Sequence, residues 1–234
     1  MTFKKRPDGR KFEDLRKMEA KVGVIKRADG SAWFKIGDTE AIAAVYGPRD
    51  LYPRFMQDPT KGVLRVNYNM LPFSGSGDRI RPGGNRRSKE ISLVTKKSLL
   101  PVLDLSKFPN SVVDVFIEFP QTDAGSRCAG ITAAAMALAD AGLPMKDLVA
   151  AVAVGRVDDK VVADLCYEEE AYEDGPVADI PVAVLPQSGK ISLLQMDGAI
   201  SKDQFMEGIE LAKKVLKDVY ALQVKALKAK YGSE

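Results

Sequence analysis

Three groups of residues in this chain could do chemistry. The first is Gly125-Ser126-Arg127, set between an alternating segment at 112–119 that reads as a strand and a run of small residues at 129–141. Strand, tight turn and buried helix together can hold an anion. The first helical turn leaves N–H groups unpaired, and the helix dipole favours negative charge there. Gly125 lets a ligand approach the backbone, Ser126 adds a hydroxyl, and Arg127 adds a fork of donors. The same residues also fit a capped core helix with an incidental arginine. The second group is the Gly-, Ser- and Arg-rich stretch 72–88, which sets Arg79, Arg81, Arg86 and Arg87 against a single aspartate. Long glycine-rich loops inside compact domains are usually functional or disordered, and these arginines suit the oxygens of a phosphodiester chain. The third group is the acidic run EEEAYEDGPVAD, residues 168–179. Most such runs are solvated loops. Asp179 differs because it directly precedes the apolar segment 180–185, which places it at a strand entrance.

The residue types that are missing narrow the chemistry. The chain has 0 His in 234 residues, which excludes Ser-His-Asp and Cys-His catalysis and histidine-based zinc sites. Acid–base work falls to carboxylates, Lys, Tyr or the substrate. A reaction in which inorganic phosphate is itself the nucleophile fits that inventory: phosphate is already ionised near neutral pH and must only be aligned and neutralised. A carboxylate or a carboxylate-bound divalent cation such as Mg2+ could assist the leaving oxygen, and Asp179 is the candidate for either role. No P-loop pattern is present, so an ATPase is disfavoured. The 2 cysteines, Cys128 and Cys166, form no CxxC pair. They read as small core residues in a reducing, cytoplasmic setting. With 35 basic and 32 acidic residues, net charge does not announce nucleic acid, and the arginine loop carries that signal alone. No apolar run approaches the ~20 residues needed to cross a bilayer, and the first residues lack the apolar core of a secretory signal. No membrane partner is expected.

These groups need elements to position them. Residues 1–18 are polar and basic and read as a surface arm with a turn at Pro7-Asp8-Gly9. Residues 21–36 read as a hairpin around Asp29-Gly30, followed by a strand at 40–46. A strand is expected at 63–70, with Arg65 near its start, and another at 111–121. Between them, 87–100 reads as a helix with Asn85 as N-cap. Arg86 and Arg87 then sit at the positive end of its dipole, a conflict that an anion between them would remove. Residues 147–157 and 160–166 read as a hairpin, and 180–185 and 191–195 as two further strands. Ser201 and Gln204 form a capping box for a last helix whose apolar positions include Phe205, Ile209, Ala212, Leu216 and Val219. The whole reads as α/β (α+β): an arm at 1–18, then two related lobes at 19–142 and 143–234.

RPDGRKFEDLR at 6–16, GPRD at 47–50, RRSKEIS at 86–92, QTDAGSRCAGITAA at 121–134, ALADAGLPMKDLVAAVAVG at 137–155 and LLQMDG at 193–198 together resemble the RNase PH family, in particular the catalytic subunits of the archaeal exosome. The resemblance runs in order over nearly the whole chain. It implies an RNase PH-like fold and a 3′→5′ exoribonuclease that uses phosphate as co-substrate and releases nucleoside diphosphates. It implies single-stranded RNA as substrate, and a six-membered ring shared with a paralogous, inactive subunit beneath RNA-binding cap proteins. By matching position, Gly125, Ser126 and Arg127 would bind the attacking phosphate with Arg87. Arg86 would hold the RNA backbone, and Arg65 would sit at a pore constriction. Asp179 matches a catalytic aspartate. The second acidic position falls in a linker longer than the family's usual one. That role is open among Glu170, Glu173 and Asp174, with Asp174 favoured because it keeps a Glu-Asp pair. A non-catalytic RNA-binding ring subunit and a homohexameric enzyme that trims transfer RNA ends are the competing readings.

Overall fold

Alternation of apolar and polar residues in the first half of the chain builds a five-stranded sheet. The computed structural model describes residues 3–76, 79–81 and 83–232; Gly77, Asp78 and Pro82 of the basic stretch fall outside them. Strands β1 (Met18–Val22), β2 (Gly30–Ile36), β3 (Thr39–Asp50), β4 (Val63–Met70) and β5 (Ser111–Gln121) lie in the order β1-β2-β3-β5-β4. All neighbours are antiparallel except β4 and β5. A parallel pair needs a crossover, and helix α1 (Arg86–Leu99) lies in that connection. Asn85 caps it as expected: its side chain accepts from the Ser88 N–H at 2.7 Å, and Ser88 Oγ accepts from the Asn85 N–H at 2.9 Å.

Directly after β5 comes α2 (Ser126–Asp140), the run of small residues. Of its 15 residues 13 are buried, because it is covered on opposite sides by the two halves of the molecule. It packs on β2 and β3 of the first sheet and on β6 (Ala150–Val157) of the second. Small side chains let backbones approach. A Cβ on Gly30 would lie 2.2 Å from the Ala141 backbone nitrogen, so β2 begins almost in contact with the end of α2. The second sheet adds β7 (Lys160–Ala163), β8 (Val177–Leu185), β9 (Lys190–Leu194) and β10 (Asp197–Gly198). β8 pairs with β6 on one edge; on the other, β10 pairs near its start and β9 near its end. Between β7 and β8 lies the single helical turn α3 (Tyr167–Glu170). The last helix, α4 (Lys202–Tyr231), carries the expected Ser201–Gln204 capping box and packs on β6 and β1.

Two expectations need correction. The N-terminal segment is not a surface arm: Phe3 and Arg6 are buried, and Phe3 and Phe12 join Val157, Val162 and Leu165 in a small apolar cluster of the second half. Arg6 is only 1 % exposed because its guanidinium meets both oxygens of Glu169 at 2.7 Å and donates to the carbonyls of Ala163 and Asp164. The strand expected at 180–185 begins three residues earlier, so Asp179 lies within β8 rather than ahead of it. Its register partners are Gly155 on one side and Asp197 on the other.

Candidate active site

Two successive left-handed residues, Ala124 (φ 55) and Gly125 (φ 62), turn the chain from β5 into α2. A left-handed alanine is strained, and the surroundings hold it. Thr39 Oγ1 donates to the Ala124 carbonyl at 2.7 Å and accepts from the Asp123 N–H at 2.8 Å. Arg16 clamps the approach to this turn, pairing with Asp123 at 3.0 Å and with Asp164 at 2.7 Å. No side chain caps the start of α2, and no acidic residue stands in its first turn. The nest of N–H groups therefore remains a ready anion site.

The nest opens on a cavity of about 410 Å³. Gly125, Ser126, Arg127 and Arg87 form its basic wall, and Glu170, Asp179 and Asp197 its acidic wall. Tyr68 donates to Ser126 Oγ at 2.7 Å. Glu90 of α1 holds one nitrogen of Arg127 at 3.2 Å, and its other oxygen accepts from the Gln195 side-chain amide at 2.9 Å. Of the buried side-chain polar atoms without a partner among the described residues, two belong to residues lining this cavity: Arg127 Nε and Asp179 Oδ1. A buried donor and a buried acid, both unsatisfied in one cavity, call for a ligand between them. Burial pushes Asp179 up to about 6, with Arg127 opposing the rise and Asp197 adding to it. Burial, then the neighbouring Asp179, pushes Glu170 up to about 7. Cys128 also lines the cavity, but burial raises its thiol so far that it is no nucleophile.

The structure brings Gly125, Ser126, Arg127, Arg87 and Asp179 together and leaves other candidates apart. Asp174, favoured from the sequence, and Glu173 are exposed and do not line the cavity; Glu170 does. The physical reason is α3. Glu169 turns inward onto Arg6 and caps the turn by accepting from the Cys166 N–H at 3.0 Å, while the next residue, Glu170, reaches the cavity. Arg86 is exposed beside Arg87, outside the lining. Arg65 on β4 is engaged by Asp114 of β5 through contacts of 2.6 and 2.8 Å. Asp197, Glu90 and Tyr68 are additions that sequence reasoning missed. Asp197 and Glu90 had a signal, lying inside the LLQMDG and RRSKEIS segments; Tyr68 had none. Among the described residues no three His, Cys, Asp or Glu side chains stand close enough to hold a metal ion. The donor set thus gives Mg2+ no preformed cage at Asp179.

A helix N-terminus and two arginines facing carboxylates, two of them partly buried, make a candidate anion-handling site in an α/β protein. Comparison with known proteins specifies it. Residues 14–144 match the 3′ exoribonuclease family, domain 1, and residues 147–215 match domain 2 of the same family. The chain belongs to this RNase PH family of 3′ exoribonucleases. It is 53% identical over 227 residues to the exosome complex component Rrp41 of Thermococcus kodakarensis, covering 97% of this chain and 90% of that protein. It is 50% identical over 229 residues to the Rrp41 of Methanopyrus kandleri, covering 98% and 94%. Among solved structures, rice Rrp46 superposes with a TM-score of 0.83 at 23% identity, covering 95% of this chain and 100% of that one, which speaks to the fold. A structure described as the Archaeoglobus fulgidus exosome with RNA bound to the active site gives a TM-score of 0.77 at 26% identity, covering 92% and 91%. No helix among the described residues is long and apolar enough to cross a membrane.

Proposed function

We propose that this chain is the catalytic subunit of an exosome ring, a phosphorolytic 3′→5′ exoribonuclease. The observation that carries the reading is the pair of unsatisfied buried atoms, Arg127 Nε and Asp179 Oδ1, across one cavity. Inorganic phosphate on the nest of Gly125 and Ser126, held by Arg127 and Arg87, would attack the last phosphorus of the RNA. A new P–O bond forms, the bond to the 3′ oxygen breaks, and a nucleoside 5′-diphosphate leaves. The departing 3′ oxygen needs a proton. Asp179, its pKa raised by burial to about 6, is a carboxyl able to supply it. The two arginines and the nest neutralise the charge that builds up on the phosphoryl oxygens. Glu170, in the same cavity, is the preferred second acidic residue.

Arg86 and the exposed Arg79 and Arg81 would hold the backbone of single-stranded RNA outside the cavity. Arg65 would contact RNA nearer a pore, in competition with Asp114. We also propose a paralogous non-catalytic subunit alternating with this chain in a hexameric ring, and RNA-binding cap proteins above it; the relatives' printed name, exosome complex component, supports membership of an exosome. The test is RNA shortening by the reconstituted ring with and without phosphate. Phosphate-dependent release of nucleoside diphosphates is expected, lost in Asp179→Ala while assembly and RNA binding persist. Equal shortening without phosphate, yielding monophosphates, would refute the phosphate site. Undiminished degradation by Asp179→Ala would point to a non-catalytic subunit.

A further inference from the structure

Ser126 is the hydroxyl of the nest, and its geometry is set from outside the cavity. The phenol of Tyr68, on β4, donates to Ser126 Oγ across 2.7 Å. Both residues are buried, at 4% and 6% exposure. A hydroxyl offers one proton and two acceptor positions. The phenol occupies an acceptor position, so the seryl proton remains to be given elsewhere. Among the described residues no protein acceptor takes it. The cavity on which Ser126 opens is where an acceptor would arrive.

Tyr68 is itself held firmly. Its backbone N–H donates to Ser92 Oγ of α1 at 2.9 Å, and that hydroxyl donates to the Ser88 carbonyl at 2.6 Å. Its ring packs against Phe119 with centroids 4.9 Å apart. Burial raises the phenol's pKa, so it stays protonated and remains a donor. Tyr68 thus ties α1, which carries Arg87, to the first turn of α2, which carries Arg127.

We infer that Tyr68 is a positioning residue for the attacking phosphate: by donating to Ser126 Oγ it turns the seryl proton toward the anion. The inference rests on the phosphate reading of the nest given above. Tyr68→Phe keeps the ring and its packing and removes only the hydroxyl. In the assembled RNA-degrading complex it should raise the KM for phosphate ~3–10-fold while kcat and the KM for RNA move by less than about two-fold. Ser126→Ala should raise the phosphate KM similarly, and adding Tyr68→Phe to it should cost nothing further, because both changes remove the same directed proton. An unchanged phosphate KM in Tyr68→Phe, an equal rise in the RNA KM, or additive losses in the double variant would each overturn the inference. If the wild-type complex needs no phosphate at all, the site reading fails and this inference falls with it. Phosphate dependence with an unaltered Tyr68→Phe would sink the inference alone.

Discussion

At the residue scale, the site places charge where charge is least welcome. Asp179 is a carboxyl in a largely buried setting, and only part of that cost is offset by Arg127 and Arg87. An acid whose pKa is raised from 3.8 to about 6 by folding binds its proton more tightly in the folded chain than in the unfolded one. Its contribution to stability is therefore full below the unfolded value and is lost as pH rises through the folded one. Asp179→Asn keeps the shape and removes the titration. The variant should be more stable than the wild type at pH 8 by about 1–3 kcal/mol, with the gap closing as pH falls toward ~4. Urea midpoints at both pH values check this; a gap that stays constant with pH would mean that Asp179 is solvated and poorly suited to hold a proton for the leaving oxygen. Such a variant would gain stability and lose turnover, as expected of a functional group placed against its own solvation.

At the scale of elements, α3 is a single turn, too short to persist alone. What holds it is the buried Arg6–Glu169 pair, which also fixes where the adjacent Glu170 points. Arg6→Met would leave Glu169 buried without its partner and should destabilise the chain by about 3–5 kcal/mol. Replacing the pair together, Arg6→Met with Glu169→Leu, should recover much of that loss. Recovery stays incomplete because the Cys166 N–H then loses its acceptor. Urea unfolding of the single and double variants measures both effects, and a double variant as unstable as the single one would refute the argument. This pair also marks the limit of what sequence reveals. Helix starts were legible at Asn85 and Ser201 because a cap is a local arrangement of a few residues. The nest at Gly125–Arg127 was legible for the same reason. The assignment of Glu170 was not, because one turn has no periodicity to read and its stabilising partner lies 163 residues away. Arg6 read as surface because charge at a chain end normally is. Asp197 stands on a two-residue strand defined only by its pairing with β8.

For the whole molecule, the two halves share α2, and that sharing decides how the chain unfolds. The family match divides near residue 145, yet α2 lies against both sheets, and the N-terminal segment crosses back to the second half before β1 joins the first sheet. Ala133, Ala134 and Ala135 are each 0% exposed, so no side of this stretch of α2 has room to spare. Neither sheet can lose its share of the helix without exposing apolar surface on the other. Chains of 234 residues often unfold domain by domain, but here the shared helix should enforce one transition. Trp33 on β2 is the sole tryptophan and reports on the first sheet. Far-ultraviolet circular dichroism draws on α4 as well, which packs mainly on the second. The two signals should give coincident urea transitions for the isolated chain. Ala134→Leu adds volume where neither sheet has space and should destabilise by about 1–3 kcal/mol. It should move both transitions together, because strain in α2 reaches both sheets. If the Trp33 transition separated from the dichroism, in the wild type or in Ala134→Leu, the halves would be independent folding units. The cavity lined by both halves would then rest on docking of the two halves rather than on one continuous core.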